Sequence, residues 1–304
     1  MKTLIKKIIE KSNPTVVGLD PLLEYIPDYI LEKNYKLYGN TFEAAEHSIF
    51  EFNKDIIDAI YDIVPAIKPQ SAYYEMYGWQ GVRALHNTIK YAKHMGMYVI
   101  VDVKRNDIGS TAGAYAKAYL GDTSINGDSL SAFSADSVTI NGYLGSDGIL
   151  PFYEQCKLNN KSIFALVKTS NPSSGELQDL ILSSGETVYK KMINLYNEIS
   201  KDSLNEYGFT SIGAVVGATY PAQLTELRNE FPNIFFLVPG YGAQGGGAND
   251  IAGAFNDKGL GGIVNSSRAV MCAYKKGNYL PEEFAKAARD EVIRMKNDLL
   301  NVIK

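Results

Sequence analysis

Cysteine is almost missing from this chain: Cys156 and Cys272 are the two thiols in 304 residues. They lie far apart, with no Cys-x-x-Cys pair and no Cys/His cluster, so a disulfide scaffold and a zinc site are both disfavoured. Two inert thiols in a reducing cytoplasm is the expectation. Histidine is scarce too. His47, His86 and His94 fall in helical stretches without ligand spacing, and none is assigned to a metal or to catalysis. No run approaches the roughly 18 apolar residues that span a bilayer, so no membrane partner is expected. The opening MKTLIKKIIEKSNP breaks its apolar residues with lysines, which suits a short amphipathic helix better than a signal peptide. A basic surplus is also absent. Thirty Lys and Arg against 34 Asp and Glu give a net charge of −4, which argues against nucleic acid as a main partner. A small anionic ligand remains compatible, because a site can be locally basic in an acidic protein.

What is present is an ordinary globular composition, 45% hydrophobic and 21% charged. Short β-branched runs recur at 16–20, 65–68, 98–104, 137–141, 163–168, 212–217, 234–238 and 262–265. Each reads as a strand buried on both faces, as in a parallel sheet covered by helices. Helical patterns intervene at 42–61, 81–94, 112–119, 187–207 and 222–230, with a last one at 281–300 that opens on Pro-Glu-Glu. Eight strands alternating with helices predict an α/β fold, a (β/α)8 TIM barrel; an open doubly wound sheet is the alternative, since counting strands does not prove closure. No Pro/Gly/Ser linker or low-complexity segment divides residues 1–304, so one domain is expected, with a short N-terminal helix and a C-terminal helical extension. The longer connections, 21–40 and 169–185, are expected as excursions at the barrel top.

Polar residues collect where the strands end: Asp20, Lys68, Asp102 with Lys104, Asn141, Thr169 with Ser170, Gly217, the glycines of 240–247, and Asn265 through Arg268. In a barrel these ends converge on one mouth, where βα loops build the active site. Polar loops alone explain Asn141 or Gly217. They do not explain Lys68 and Lys104, each of which extends an otherwise apolar strand. Within Tyr98–Thr111, YVIVDVKRNDIGST, strand alternation puts Asp102 and Lys104 on one face and Val103 on the other. That pair alone fits a structural ion pair as well as a functional one. Asp107 falls beyond the strand, on the following loop.

The pattern Asp-x-Lys-x-x-Asp-Ile-x-x-Thr, formed by Asp102, Lys104, Asp107, Ile108 and Thr111, resembles the signature of orotidine 5′-phosphate decarboxylases. The surrounding order is similar as well: Gly18-Leu19-Asp20, Ile67-Lys68-Pro69, Lys168-Thr169-Ser170-Asn171-Pro172, Pro239 through Gly246, and Asn265-Ser266-Ser267-Arg268. The segment from Lys68-Pro69-Gln70 to Glu75 resembles the longer bacterial branch. The resemblance runs from about Val16 to Ala269.

It implies conversion of orotidine 5′-phosphate to uridine 5′-phosphate (UMP) and carbon dioxide, with no cofactor and no metal. Decarboxylation leaves charge in an sp2 orbital at C6 that the ring cannot delocalise, so the protein must stabilise a carbanion electrostatically and protonate it. The resemblance gives both tasks to Lys104. It sets Asp102 beside the departing carboxylate and completes a Lys-Asp-Lys-Asp array with Lys68 and Asp107. It also implies a homodimer in which Asp107, Ile108 and Thr111 enter the neighbouring site, and it puts Asp20 near Lys68 and the ribose hydroxyls. A phosphate site after strands seven and eight recurs in such barrels. There Pro239, the glycine run, Ser267 and Arg268 are expected to receive the phosphate, helped by helix-terminal N–H groups. Gln244 resembles the family's side chain that closes over it. Ser170 is expected at the pyrimidine amide edge, with Thr169 its competitor.

Tyr73, Tyr74 and Tyr77 read as packing or interface residues. A rival barrel class, the hexulose-phosphate synthases, shares Asp-x-Lys-x-x-Asp but resembles magnesium enzymes with an acidic residue where this chain has Lys68. A non-catalytic nucleotide-binding barrel is the rival of another class.

Overall fold

In the computed structural model, which describes residues 1–242 and 247–303, the eight runs form parallel strands. These are β1 (Thr15–Leu19), β2 (Ala66–Pro69), β3 (Tyr98–Arg105), β4 (Ser137–Ile140), β5 (Ser162–Lys168), β6 (Ile212–Val216), β7 (Phe236–Val238) and β8 (Gly262–Ser266). Each pairs with its sequence neighbours, and β1 also pairs with β8 through Val16 opposite Asn265. The sheet is therefore a closed barrel, and the open-sheet alternative falls.

Alternation along the strands sorts side chains into an outer and an inner set. Val17, Leu19, Ile67, Val99, Val101, Val103 and Val138 belong to the large apolar cluster shared with the helices. Val16, Ala66, Tyr98, Ile100, Phe164, Val215, Leu237 and Ile263 form a second cluster. The helix Lys2–Lys11 caps that cluster with Leu4, Ile5 and Ile8, all buried, so its amphipathic pattern serves to close the lower end of the barrel. One step further up the same strands, the residues two positions on from the apolar layer are polar: Lys68 after Ala66, Asp102 after Ile100, Asn265 after Ile263. The core ends and the site begins within one strand repeat.

Several elements differ from the sequence reading. The 187–207 helix stops earlier, running Val188–Ser200 before a single 3-10 turn, Lys201–Ser203, where the Ser203 hydroxyl donates to the Ser200 carbonyl at 2.7 Å. A helix at Ser146–Asn159 was not anticipated, because Gly148 and Pro151 interrupt its pattern. The 21–40 excursion holds its own helix, Asp28–Tyr38. A small exposed hairpin joins Thr123–Ile125 to Asp128–Leu130 through Asn126-Gly127, both at positive φ (49° and 91°), the backbone that an Asn-Gly turn supplies. Among the described residues, no helix is long and apolar enough to cross a membrane.

Arg228 ties the lower loops of the second half together. All five of its N–H groups meet backbone carbonyls: Nε that of Ala254 at 2.9 Å, Nη1 those of Phe231 and Pro232 at 3.1 Å, Nη2 those of Ile234 and Gly261 at 2.8 Å. Its guanidinium lies 4.0 Å from the Phe236 ring centre. Removing it strands several buried acceptors at once, each costly to leave unmet. Arg228→Met is expected to lower unfolding free energy by roughly 3–5 kcal/mol, read from the denaturant midpoint. A loss below about 1 kcal/mol would contradict this account of the loops.

Candidate active site

Asp102 organises the charged mouth. It is buried, and its carboxylate accepts four hydrogen bonds. Oδ2 takes Lys68 Nζ at 2.8 Å and Gln70 Nε2 at 2.9 Å; Oδ1 takes Lys104 Nζ and the Thr139 hydroxyl, both at 2.7 Å. Burial alone would raise the Asp102 carboxyl, but the two ammonium groups outweigh it and hold the group well below the ordinary carboxylate range. Lys68 shows the reciprocal balance. Burial works to lower it, yet Asp102 and Asp20 raise it overall, so its charge is retained inside the barrel. Asp20, just past β1, is raised by burial, with Lys68 opposing. Its Oδ1 has no hydrogen-bond partner among the described residues.

Lys104 sits at the end of β3 with its side chain 45% exposed, so the ammonium that binds Asp102 also faces open space. The same-face reading of Asp102 and Lys104 holds, but not through regular alternation. The register of β3 against β4 shifts between Val101 and Arg105, and Lys104 has φ +44°. Close packing also shapes this floor. At Gly18, beside Lys68 in register, a Cβ would lie 1.9 Å from Ser267 Oγ. Only glycine lets β8 approach there.

A cavity of about 700 Å³ opens above the array. Asp20, Lys68, Asp102, Lys104, Ser170, Pro239, Ser267 and Arg268, eight of the residues singled out in the sequence, all line it. Asp107, Ile108 and Thr111 do not. Asp107 is on the loop after β3, where its Oδ1 accepts the Ile108 N–H at 2.8 Å, and Ile108 is 53% exposed. Gln244 lies outside the described residues. The helix after β8 is only Arg268–Met271, a single turn, so the expected help from helix-terminal N–H groups has little helix behind it. Tyr74 and Tyr77 are buried in packing as expected, whereas Tyr73 lines the cavity.

The loop after β5 separates Thr169 from Ser170. Thr169 is engaged at both ends by Gln178: its N–H donates to Oε1 at 3.0 Å and its hydroxyl accepts from Nε2 at 2.8 Å. Lys168, fully buried, pairs with Asp179 at 2.7 Å and lies 4.4 Å from the Tyr220 ring centre, pinning the same loop. Ser170 is tucked against Gly217, where a Cβ would come within 2.9 Å of the serine Cβ. After β7, Gly240 and Gly242 take φ +103° and +74° on either side of Tyr241, whose hydroxyl reaches Asp298 of the C-terminal helix Phe284–Leu300.

Sequence reasoning missed Gln70, Thr139, Gln178 and Asp179. Each is a common polar residue at a strand end or in a loop, and only their distances to Asp102, Thr169 and Lys168 mark them out. Cys156 and Cys272 are both free and buried, and burial pushes the Cys156 thiol up to about 12, consistent with inert thiols.

A closed parallel barrel with lysines and aspartates from successive strands converging on its C-terminal mouth is the architecture of a (β/α)8-barrel enzyme. The chain belongs to the orotidine 5′-phosphate decarboxylase / HUMPS family, whose model matches residues 16–279. A Clostridium tetani protein named orotidine 5′-phosphate decarboxylase is 42% identical over 297 residues, covering 98% of this chain and 96% of that one. A Rhodopirellula baltica protein of the same name is 44% identical over 281 residues, 92% of this chain and 89% of the other. Among solved structures, a putative orotidine-monophosphate decarboxylase from Toxoplasma gondii superposes with TM-score 0.77 at 30% identity, covering 99% of this chain and 98% of that one.

Proposed function

We propose that this chain decarboxylates orotidine 5′-phosphate to UMP and carbon dioxide in de novo pyrimidine synthesis, with one barrel domain carrying the reaction. The observation that carries the reading is Asp102 fixed between the ammonium groups of Lys68 and Lys104, on the floor of a cavity that also holds Arg268. In this reading the substrate carboxylate lies beside Asp102 and C6 faces Lys104. The C6–carboxylate bond breaks, its electron pair stays on C6, and carbon dioxide departs. A proton from the Lys104 ammonium then goes to C6, and the neutral amine recovers a proton from solvent. The ammonium also stabilises the carbanion before the transfer, from a position already set by Asp102. Asp102, held ionised, disfavours the substrate carboxylate more than the transition state.

The remaining contacts are assigned as the family resemblance implies, among residues most of which line the cavity. Asp20, beside Lys68, takes the ribose hydroxyls, and its unpartnered oxygen supports this. Ser170 takes the pyrimidine amide edge, because Thr169 is already occupied by Gln178. Arg268 grips the phosphate with Ser267 and Pro239 beside it, and Gln244 is given the closing role that the family resemblance implies. Phosphate does no bond-breaking, yet its binding energy can be used to order the mouth and lower the barrier at C6. The working unit is a homodimer in which Asp107, Ile108 and Thr111 complete the site of a second copy. Their position outside the cavity of their own chain supports this. Two buried free thiols fit a reducing cytoplasm. No cofactor enters the scheme.

Lys68 separates this reading from a sugar-phosphate barrel that depends on a divalent metal, since a buried ammonium repels a cation at that point. The test offers the purified protein both substrate sets. Orotidine 5′-phosphate should be consumed, whereas a pentulose phosphate with formaldehyde should give no condensation product. The opposite pattern would overturn the assignment.

A further inference from the structure

We propose that Thr139, on β4, is a positioning residue that holds Lys104 in the backbone conformation its chemistry requires. The inference rests on the functional reading above but starts from a separate irregularity. Lys104 is the one described non-glycine residue inside a barrel strand with positive φ, +44°; Ser12, Asn126, Ser134 and Asn160 lie outside the barrel strands. A long side chain adopts that region only under constraint, because Cβ crowds the backbone there. Something must hold it.

Thr139 supplies the constraint from both sides. Its hydroxyl oxygen accepts the Lys104 backbone N–H at 2.9 Å, and its single proton goes to Asp102 Oδ1 at 2.7 Å. The Lys104 ammonium donates to that same oxygen at 2.7 Å. Backbone N–H, hydroxyl, carboxylate and ammonium thus close a ring that begins and ends on Lys104. Thr139 is buried, and β-branching restricts its χ1, so the hydroxyl has little freedom to turn elsewhere. The ring also explains the shifted register: β3 must leave its ladder after Val101 for the Lys104 N–H to reach a side chain of β4. Without the hydroxyl, the N–H loses its partner and the backbone relaxes toward ordinary extended φ. The ammonium then swings off Asp102.

The test compares two variants with the full-length protein. Thr139→Val keeps the shape and removes both hydrogen bonds, and Thr139→Ser keeps the hydroxyl. Thr139→Val should lower kcat about 10- to 100-fold, with KM for orotidine 5′-phosphate and affinity for UMP changed less than about threefold. Thr139→Ser should recover kcat to within about threefold of the parent. A valine variant with parental kcat overturns the proposal, and so does a serine variant as impaired as valine, which would make the role one of packing. A crystal structure of Thr139→Val adds a readout independent of turnover. Lys104 leaving the left-handed region supports the proposal; φ near +44° with the Asp102 contact intact overturns it. Parent protein without decarboxylase activity would instead refute the functional reading, and the crystallographic comparison would then decide the role of Thr139 by itself.

Discussion

Lys104→Ala is expected to lower the rate of carbon dioxide release by about 10⁴-fold or more, while affinity for UMP should change less than about tenfold. Two losses fall on one side chain. A positioned general acid is worth about 10²–10⁴, and a preorganised electrostatic donor about 10²–10³. Both are realised only as charge develops at C6, so the defect belongs in kcat and not in KM. UMP carries no carboxylate at C6, and in the proposed scheme its phosphate is held by Arg268, another residue of the cavity wall, so binding should survive. Lys68, 2.8 Å from Asp102 in the parent, is untouched by the substitution and should keep that carboxylate ionised. The check is an absorbance assay of turnover beside calorimetric titration with UMP. A raised KM with parental kcat would mean that Lys104 only binds substrate.

Asp107→Ala is expected to be nearly as damaging, about 10³-fold in kcat/KM, although Asp107 lies outside the cavity of its own chain. The expected effect rests on the proposed homodimer. Ile108, Tyr143 and Leu144 are exposed on the neighbouring loops after β3 and β4. In the proposed two-fold dimer such a patch would meet its own copy and carry Asp107 across the interface. Subunit mixing isolates the claim. A heterodimer of Lys104→Ala and Asp107→Ala chains has one site with both substitutions and one with neither. Random re-pairing of equal amounts makes half the dimers mixed, so activity should recover to about a quarter of the parent level from two nearly inactive proteins. Verified heterodimers that stay inactive would mean that Asp107 does not act across subunits.

The barrel was legible because its strands are β-branched runs bounded by polar residues, and the mouth because Lys68 and Lys104 extend strands that should have ended apolar. The order of motifs from Gly18 to Arg268 supplied the rest. What could not be read were the supports. Thr139 sits in a strand where threonine is an ordinary β-former, and Gln70 follows Pro69 like any polar loop residue. Nothing in the pattern reveals that both donate to Asp102. Gln178 and Asp179 lie in a loop of unremarked composition, and their bonds to Thr169 and Lys168 arise only when that loop folds back. The left-handed backbone at Lys104 was invisible for a deeper reason: regular alternation already explained why it shares a face with Asp102. The helix Ser146–Asn159 was hidden by Pro151, which tertiary packing of Ile149, Phe152 and Tyr153 accommodates.

The central claim is that a ring of lysines and aspartates, without a metal ion, decarboxylates orotidine 5′-phosphate in this mouth. Its most direct test is turnover of orotidine 5′-phosphate by the purified protein before and after exhaustive chelation. The account predicts one UMP and one carbon dioxide for each substrate consumed, at a rate that chelation leaves unchanged. No turnover, or turnover lost on chelation and restored by magnesium, would contradict it.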